Sequence, residues 1–405
     1  MNDAFPKGFL WGGAAANTAL DWQRLLSGTP AIPAGVAAGK VAAPLEQLTA
    51  DTLPANWPAV LELIRTIGYK TLRVTLDWAV LCREGRQPEA QLLETYRQIF
   101  MQCQRDGIEP IVVLTTGTLP PTLATAKVDW TDRQVITQFA GYCQTMLLTF
   151  KEWVHYWIAF DDVNATFVQP RGPKLTRQAQ FQALHHQLVA SAEVVQLAHR
   201  VNPDNWVGCQ LRGRFNYPES GQPADVLTSQ KTLAINNWVC GDVQVRGSYP
   251  YFTKRYLEIQ HVHLHTERND LATLRAGKVD FLAVNYVPAG DAESDPDGLR
   301  LYLNTVYGRY GVPVLLTTTG RSDLTDDQRI TQLKANIEAM HVAIEDGVDL
   351  IGYVPREYLN LSHPQAGTSQ AHWLPTKSVY WYRKVIASNG ADLGLDNLAI
   401  KWGLK

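Results

Sequence analysis

The sequence lacks a CxxC pair, a G-x-G-x-x-G loop, an excess of positive charge and any apolar run long enough to cross a bilayer. Each absence removes a class. The five cysteines (Cys82, Cys103, Cys143, Cys209 and Cys240) are scattered and odd in number. They read as reduced thiols filling small gaps in a core, not as a disulfide framework or a metal knuckle. A net charge of −2 leaves no electrostatic footprint for nucleic acid or for an anionic membrane. No segment approaches the ~18 apolar residues of a transmembrane helix. Met1-Asn2-Asp3-Ala4-Phe5-Pro6 has no basic region followed by an apolar one, which points to a cytoplasmic protein without a secretory leader. Gly12-Gly13 runs on into alanines instead of a phosphate-cradling loop, and no cofactor is expected.

What is present is a chain of 405 residues, 45% hydrophobic and 19% charged. That suits one large globular unit or two smaller ones, and no linker or repeat divides it. Eight short β-prone apolar segments recur: Phe9-Ala16, Tyr69-Leu76, Glu109-Thr116, His155-Asp162, Asn205-Arg212, Val279-Val287, Val312-Thr319 and Leu350-Glu357. Their near-continuous apolar character suits strands buried on both faces, as in a parallel sheet. Helical patterns lie between them. Thr325-Asp326-Asp327-Gln328 is a capping box, followed by Ile330, Leu333, Ile337, Met340 and Ile344 at helical spacing. Leu184, Leu188, Ser191 and Val195 mark a second helix; Ser378 to Tyr382 opens the last, which stops at Ser388-Asn389-Gly390.

Strands alternating with helices through a single domain, residues 1–405, predict a (β/α)8 TIM barrel. A doubly wound open sheet is the alternative, disfavoured by the missing glycine-rich loop. Leu26 to Ala50 and Tyr217 to Ala224 read as long loops, which on a barrel build the mouth. The 12 tryptophans and 16 tyrosines could stack on sugars, but core filling accounts for most of them.

Several segments resemble glycoside hydrolase family 1, and within it the 6-phospho-β-glucosidase branch. They are Phe5 to Ala14, Gly68 to Arg73 with Leu76-Asp77-Trp78, His185 through Ala192 to Cys209, Asp242 to Pro250, and Lys377 to Gly390. The resemblance spans nearly the whole chain, in order, and implies the same barrel. It also implies two carboxylates facing each other about 5 to 5.5 Å apart, one a nucleophile and the other an acid/base. By resemblance the acid/base falls in Ala159-Phe160-Asp161-Asp162-Val163-Asn164, where Asp162 stands for the family's glutamate and Asp161 for the asparagine that bonds the sugar 2-hydroxyl. An aspartate is one methylene shorter, so its oxygen falls about 1.5 Å short, a misplacement worth on the order of 100-fold. The nucleophile's place falls in Thr317-Thr318-Thr319-Gly320, with Thr318 where the glutamate belongs. A threonine hydroxyl is a poor nucleophile without an activating base, and three threonines at a strand end also satisfy β-propensity alone.

The same comparison finds Ala19, or Thr18 with one deletion, at a glycon-binding glutamine. Thr116 and Gly117 replace a histidine and a tryptophan, Val287 replaces the tyrosine that orients the nucleophile, and Arg356-Glu357 replace a tryptophan and its small neighbour. The phosphate loop of the branch keeps at most one serine in Leu361 to Gly367, so a sugar phosphate loses its charge-assisted bonds there. Arg73, Trp78 and Asn285 remain as substrate-binding candidates, joined by Asp161, Arg356 and Glu357. Without the nucleophile Arg73 needs another anion, for which Asp161, Asp162 and Glu357 are candidates; Arg73 with Asp162, or Arg356 with Asp161, would make ordinary ion pairs. His261, His263 and His265 alternate before Glu267. On a strand they could bind zinc, but a solvated surface is the preferred reading and no metal is expected.

The expectation is a divergent β-glucosidase or 6-phospho-β-glucosidase-like protein without retaining hydrolysis. Its role would be carbohydrate-binding, regulatory or scaffolding, with a carbohydrate or other small molecule in the barrel mouth. The alternative is an active β-glycosidase of carbohydrate metabolism, including an inverting route through Asp162 and Glu357, which needs about 6.5 to 9.5 Å between the carboxyls.

Overall fold

The computed structural model describes residues 5–14, 57–83, 87–168, 175–289, 294–319, 324–356, 361–362 and 374–395. Eight parallel strands close into a barrel in sequence order. They are β1 (Leu10–Ala14), β2 (Thr71–Thr75), β3 (Glu109–Val113), β4 (Tyr156–Ile158), β5 (Trp206–Gly213), β6 (Phe281–Tyr286), β7 (Val314–Thr319) and β8 (Leu350–Arg356). Each lies inside the segment foreseen for it or overlaps it closely. The barrel is sealed where β1 pairs with β8, Leu10 opposite Gly352 and Trp11 opposite Tyr353.

The outer ring carries one main helix after each strand: α1 (Trp57–Ile67), α2 (Ala90–Arg105), α3 (Gln134–Phe150), α4 (Arg177–Val201), α5 (Val239–Arg246), α6 (Pro296–Tyr310), α7 (Asp326–Glu345) and α8 (Lys377–Ala387). The Thr325 capping box forms at α7, with Ile330, Leu333, Ile337 and Met340 buried and Ile344 at its edge. The segment Tyr217 to Ala224 is not loop throughout. A helix begins at Pro223, because proline at the first helical position has the right φ and no donor to lose. The other long segment, Leu26 to Ala50, lies outside the described residues.

Side-chain alternation along the strands divides the core in two. Leu72, Val74, Val112, Leu114, Cys209, Leu211, Leu316 and Tyr353 face the helices. Ile111, Val113, Ile158, Phe281, Ala283, Leu315 and Val354 fill the barrel interior. Gly208 faces inward for a steric reason: a Cβ there would lie 2.5 Å from the Phe281 ring. The interior is therefore a packed column, apolar at the bottom. At the C-terminal end of the strands the inward rows change to Arg73, Gln210, Arg212 and Asn285.

The five cysteines are all free and buried. No helix among the described residues is long and apolar enough to cross a membrane.

Candidate active site

The polar cap of the barrel column is built around Asp161 and Asp162, just past the end of β4. Asp162 adopts φ +47°, a left-handed conformation that costs most L residues about 1–2 kcal/mol and that aspartate tolerates better than most. The turn is pinned by Asp161 N–H to the Thr115 carbonyl at 2.9 Å and by Val163 N–H to the Gln210 carbonyl at 3.0 Å. Asn164 completes the anchor. It donates to the Arg212 carbonyl at 3.0 Å and the Asn236 carbonyl at 2.7 Å, and accepts from the Arg212 N–H at 2.7 Å. Asn236 lies in a single π-helical turn, Ala234–Trp238.

Both carboxylates are occupied by protein donors. Asp162 Oδ1 accepts from Gln210 Nε2 at 2.7 Å. Its Oδ2 accepts from Arg212 Nε at 2.9 Å and Nη2 at 2.8 Å, and from Asn285 Nδ2 at 2.8 Å. Asp161 Oδ1 is 2.9 Å from Arg73 Nη2, whose side chain is completely buried, and it also accepts from Gln210 Nε2. One Gln210 amide thus bridges the two acids. Arg73 takes Asp161, one of the anions foreseen for it, and Asp162 is taken by Arg212 instead of Arg73; the side chain of Arg356 lies outside the described residues. The reason is register. Arg212 on β5 pairs with Asn285 on β6, and the two reach the same carboxylate oxygen from adjacent strands.

Next to this pair, Asp77 caps the short helix Trp78–Leu81 through Ala79 N–H and accepts from Thr116 Oγ1 at 2.7 Å. Burial pushes its carboxyl up, against the bonds from Thr116, Ala79 and Val80. Gly117, with φ +90°, offers its carbonyl to Trp130 Nε1 at 2.8 Å. Trp78 does not line the mouth. It is 3% exposed and packed against Trp130, Phe139 and Tyr142, so its place is the helix layer.

Thr318 is buried, and its hydroxyl lies 3.0 Å from the Tyr353 hydroxyl, which also accepts from Asn336 Nδ2 of α7 at 3.4 Å. Tyr353 belongs to the outer core, so the Thr318 hydroxyl is engaged between the strands and α7. Burial pushes the Tyr353 hydroxyl up to about 12, which keeps it a neutral partner. Thr317 donates to the Val284 carbonyl at 3.2 Å. Val287 bonds back to the Gly213 carbonyl through its N–H at 2.8 Å. Glu357, Ala19, Thr18 and the span from His363 to Gly367 lie outside the described residues, as do the side chains of Thr319 and Arg356.

The histidine triplet does not lie on a strand. His261, His263 and His265 are exposed and lie on irregular backbone, and no cluster able to hold a metal occurs among the described residues. The backbone of His263 and His265 is instead stitched to α4 by Gln178 and Gln182.

Sequence reasoning missed Gln210, Arg212 and Tyr353. A signal was there for two of them. Gln210 and Arg212 are two apart in a segment read as buried, so they share a face, and a charge in such a place requires a partner.

The closed barrel thus carries two adjacent carboxylates, Asp161 and Asp162, past the C-terminal end of β4. The sequence profile of Glycosyl hydrolase family 1 matches residues 48–296 and 289–391, and the chain belongs to that family. It is 31% identical to the 6-phospho-beta-glucosidase AscB of Escherichia coli, over 96% of this chain and 99% of that protein. It is 28% identical to the aryl-phospho-beta-D-glucosidase BglH of Bacillus subtilis, over 96% and 98%. Among solved structures, the Thermotoga maritima family 1 glycoside hydrolase in complex with a cyclophellitol analogue superposes with a TM-score of 0.75. It is 21% identical, over 96% of this chain and 99% of that one, and the likeness shows the shared barrel.

Proposed function

We propose that this chain is a family member without retaining glycoside hydrolysis, a carbohydrate-binding protein with a regulatory or scaffold role on a barrel frame. The observation that carries this reading is the paired loss at the mouth. Strand β7 has the sequence VLLTTT and no carboxylate, while the acid on the β4 side is enclosed by four donors from Gln210, Arg212 and Asn285. Retaining hydrolysis needs one carboxylate free to attack and one carboxyl presenting a proton to the leaving oxygen. Thr318 offers neither, and its hydroxyl is already bonded to Tyr353. Asp162 has both oxygens engaged by protein N–H groups, which favours the ionised form over a carboxyl that holds a proton for a leaving group. The same enclosure weighs against an inverting pair of Asp162 and Glu357.

The relatives' names, 6-phospho-beta-glucosidase and aryl-phospho-beta-D-glucosidase, favour the second reading, an active β-glycosidase of carbohydrate metabolism. Incubation with aryl β-glucosides and their 6-phosphates separates the two. The first reading expects release of the phenol no faster than from a Thr318→Ala, Asp162→Ala double variant. Turnover clearly above that background overturns it.

A further inference from the structure

Asp162 is held in place without help from the Arg212 side chain. Its left-handed turn is anchored on the main chain of β5: Val163 N–H bonds the Gln210 carbonyl, and Asn164 bonds both the carbonyl and the N–H of Arg212. Each carboxylate oxygen also has a neutral donor of its own, Gln210 Nε2 on Oδ1 at 2.7 Å and Asn285 Nδ2 on Oδ2 at 2.8 Å. Arg212 adds two further donors, both on Oδ2, although one carboxylate oxygen offers only about two lone pairs. Neither positioning nor hydrogen bonding thus calls for the guanidinium. What it brings is a positive charge, since Arg73 is engaged with Asp161. It stands on the inward row near the C-terminal end of β5 with its side chain 12% exposed, where the packed column gives way to the mouth.

We infer that Arg212 is an autoinhibitory side chain of the barrel mouth, filling the place beside Asp162 that a hydroxylated ring, above all a cationic one, would otherwise take. A carboxylate this well covered requires a counter-charge. A ring ammonium supplies that charge, and its hydroxyls supply donors of the kind Arg212 now gives to Oδ2. The guanidinium is planar and always charged, and as part of the chain it competes at a high effective concentration. A free ligand therefore meets Asp162 only by displacing it, and Arg212 sets the affinity of the mouth. The inference rests on the reading of the mouth as a binding site and adds the regulation of that site.

The test is calorimetric titration of the full chain, as wild type, Arg212→Ala and Arg212→Gln. The probes are isofagomine, a hydroxylated six-membered ring amine protonated at neutral pH, and glucose as its neutral counterpart. Arg212→Gln removes the charge with less loss of volume and is read where Arg212→Ala does not fold. Isofagomine is expected to bind the variants at least about tenfold more tightly than the wild type, glucose to gain less, and the gain to vanish when Asp162→Asn is added. Equal affinity for wild type and variants, a gain that survives Asp162→Asn, or failure of both variants to fold overturns the proposal. Methylguanidinium tells autoinhibition from a purely structural ion pair. If it raises the melting temperature of the variants and isofagomine does not, the place fits only the lost side chain and the proposal falls. Phenol release from aryl β-glucosides by the same wild-type preparation keeps the two questions apart: it would sink the non-hydrolytic reading, whereas the role of Arg212 turns on the affinity ratio.

Discussion

Arg212 grips Asp162 with two nitrogens, Nε at 2.9 Å and Nη2 at 2.8 Å, both on Oδ2. The side chains are 12% and 7% exposed, so neither charge is well solvated. Removing one partner of a buried pair strands the other and typically costs about 3–5 kcal/mol. Arg212→Met is therefore expected to lower unfolding free energy by that order in urea titrations. Adding Asp162→Asn to it should recover part of the loss, because the stranded charge is gone. A fully additive double variant would contradict the pairing.

Thr318 and Tyr353 form a hydroxyl pair at 3.0 Å in the layer between β7, β8 and α7. Thr318→Val and Tyr353→Phe should each destabilise the fold by about 1 kcal/mol. In a double-mutant cycle the coupling should be of similar size, read by urea unfolding. A coupling indistinguishable from zero would mean that the Thr318 hydroxyl is turned elsewhere, toward the mouth.

Asp270 gives a pH signature far from the mouth. Burial opposes its ionisation, yet the Arg133 guanidinium, the Glu267 N–H and His185 hold its carboxyl down at about 2. The folded value lies below the ordinary value of about 3.9. Ionised Asp270 thus contributes stability that is complete above about pH 4 and is lost as the pH falls toward 2. The gap in unfolding free energy between the wild type and Asp270→Asn should narrow as the pH falls below about 4. A gap that stays level down to about pH 2.5 would remove the ion pair from the account of acid stability.

The barrel was legible because eight buried parallel strands leave near-continuous apolar runs, and period and capping signals mark the helices between them. Thr325 and Gln328 announced the start of α7 to the residue. The site was legible only in part. Asp161, Asp162 and Thr318 could be located by resemblance, since strand ends keep their order along the chain. Their partners could be narrowed but not assigned: Asp161 was one of three anions open to Arg73, and Arg212 was not foreseen at all, because which arginine meets which acid depends on cross-strand register, which no local pattern encodes. Trp78 shows the converse error. Its neighbour Asp77 touches the mouth through Thr116, but one residue further the chain has turned into a short helix, and the indole is carried into the outer core.

The central claim is the loss of the nucleophile, and the most direct measurement is intact-mass spectrometry after incubation with activated 2-deoxy-2-fluoro-β-glucosides and their 6-phosphates. These reagents form long-lived glycosyl adducts on the nucleophile of retaining glycosidases, whose mechanism passes through a covalent glycosyl-enzyme. The expected result is an unchanged protein mass at all times. A single adduct of one fluoroglycosyl unit, mapped by peptide digestion to any carboxylate of the chain, would contradict it.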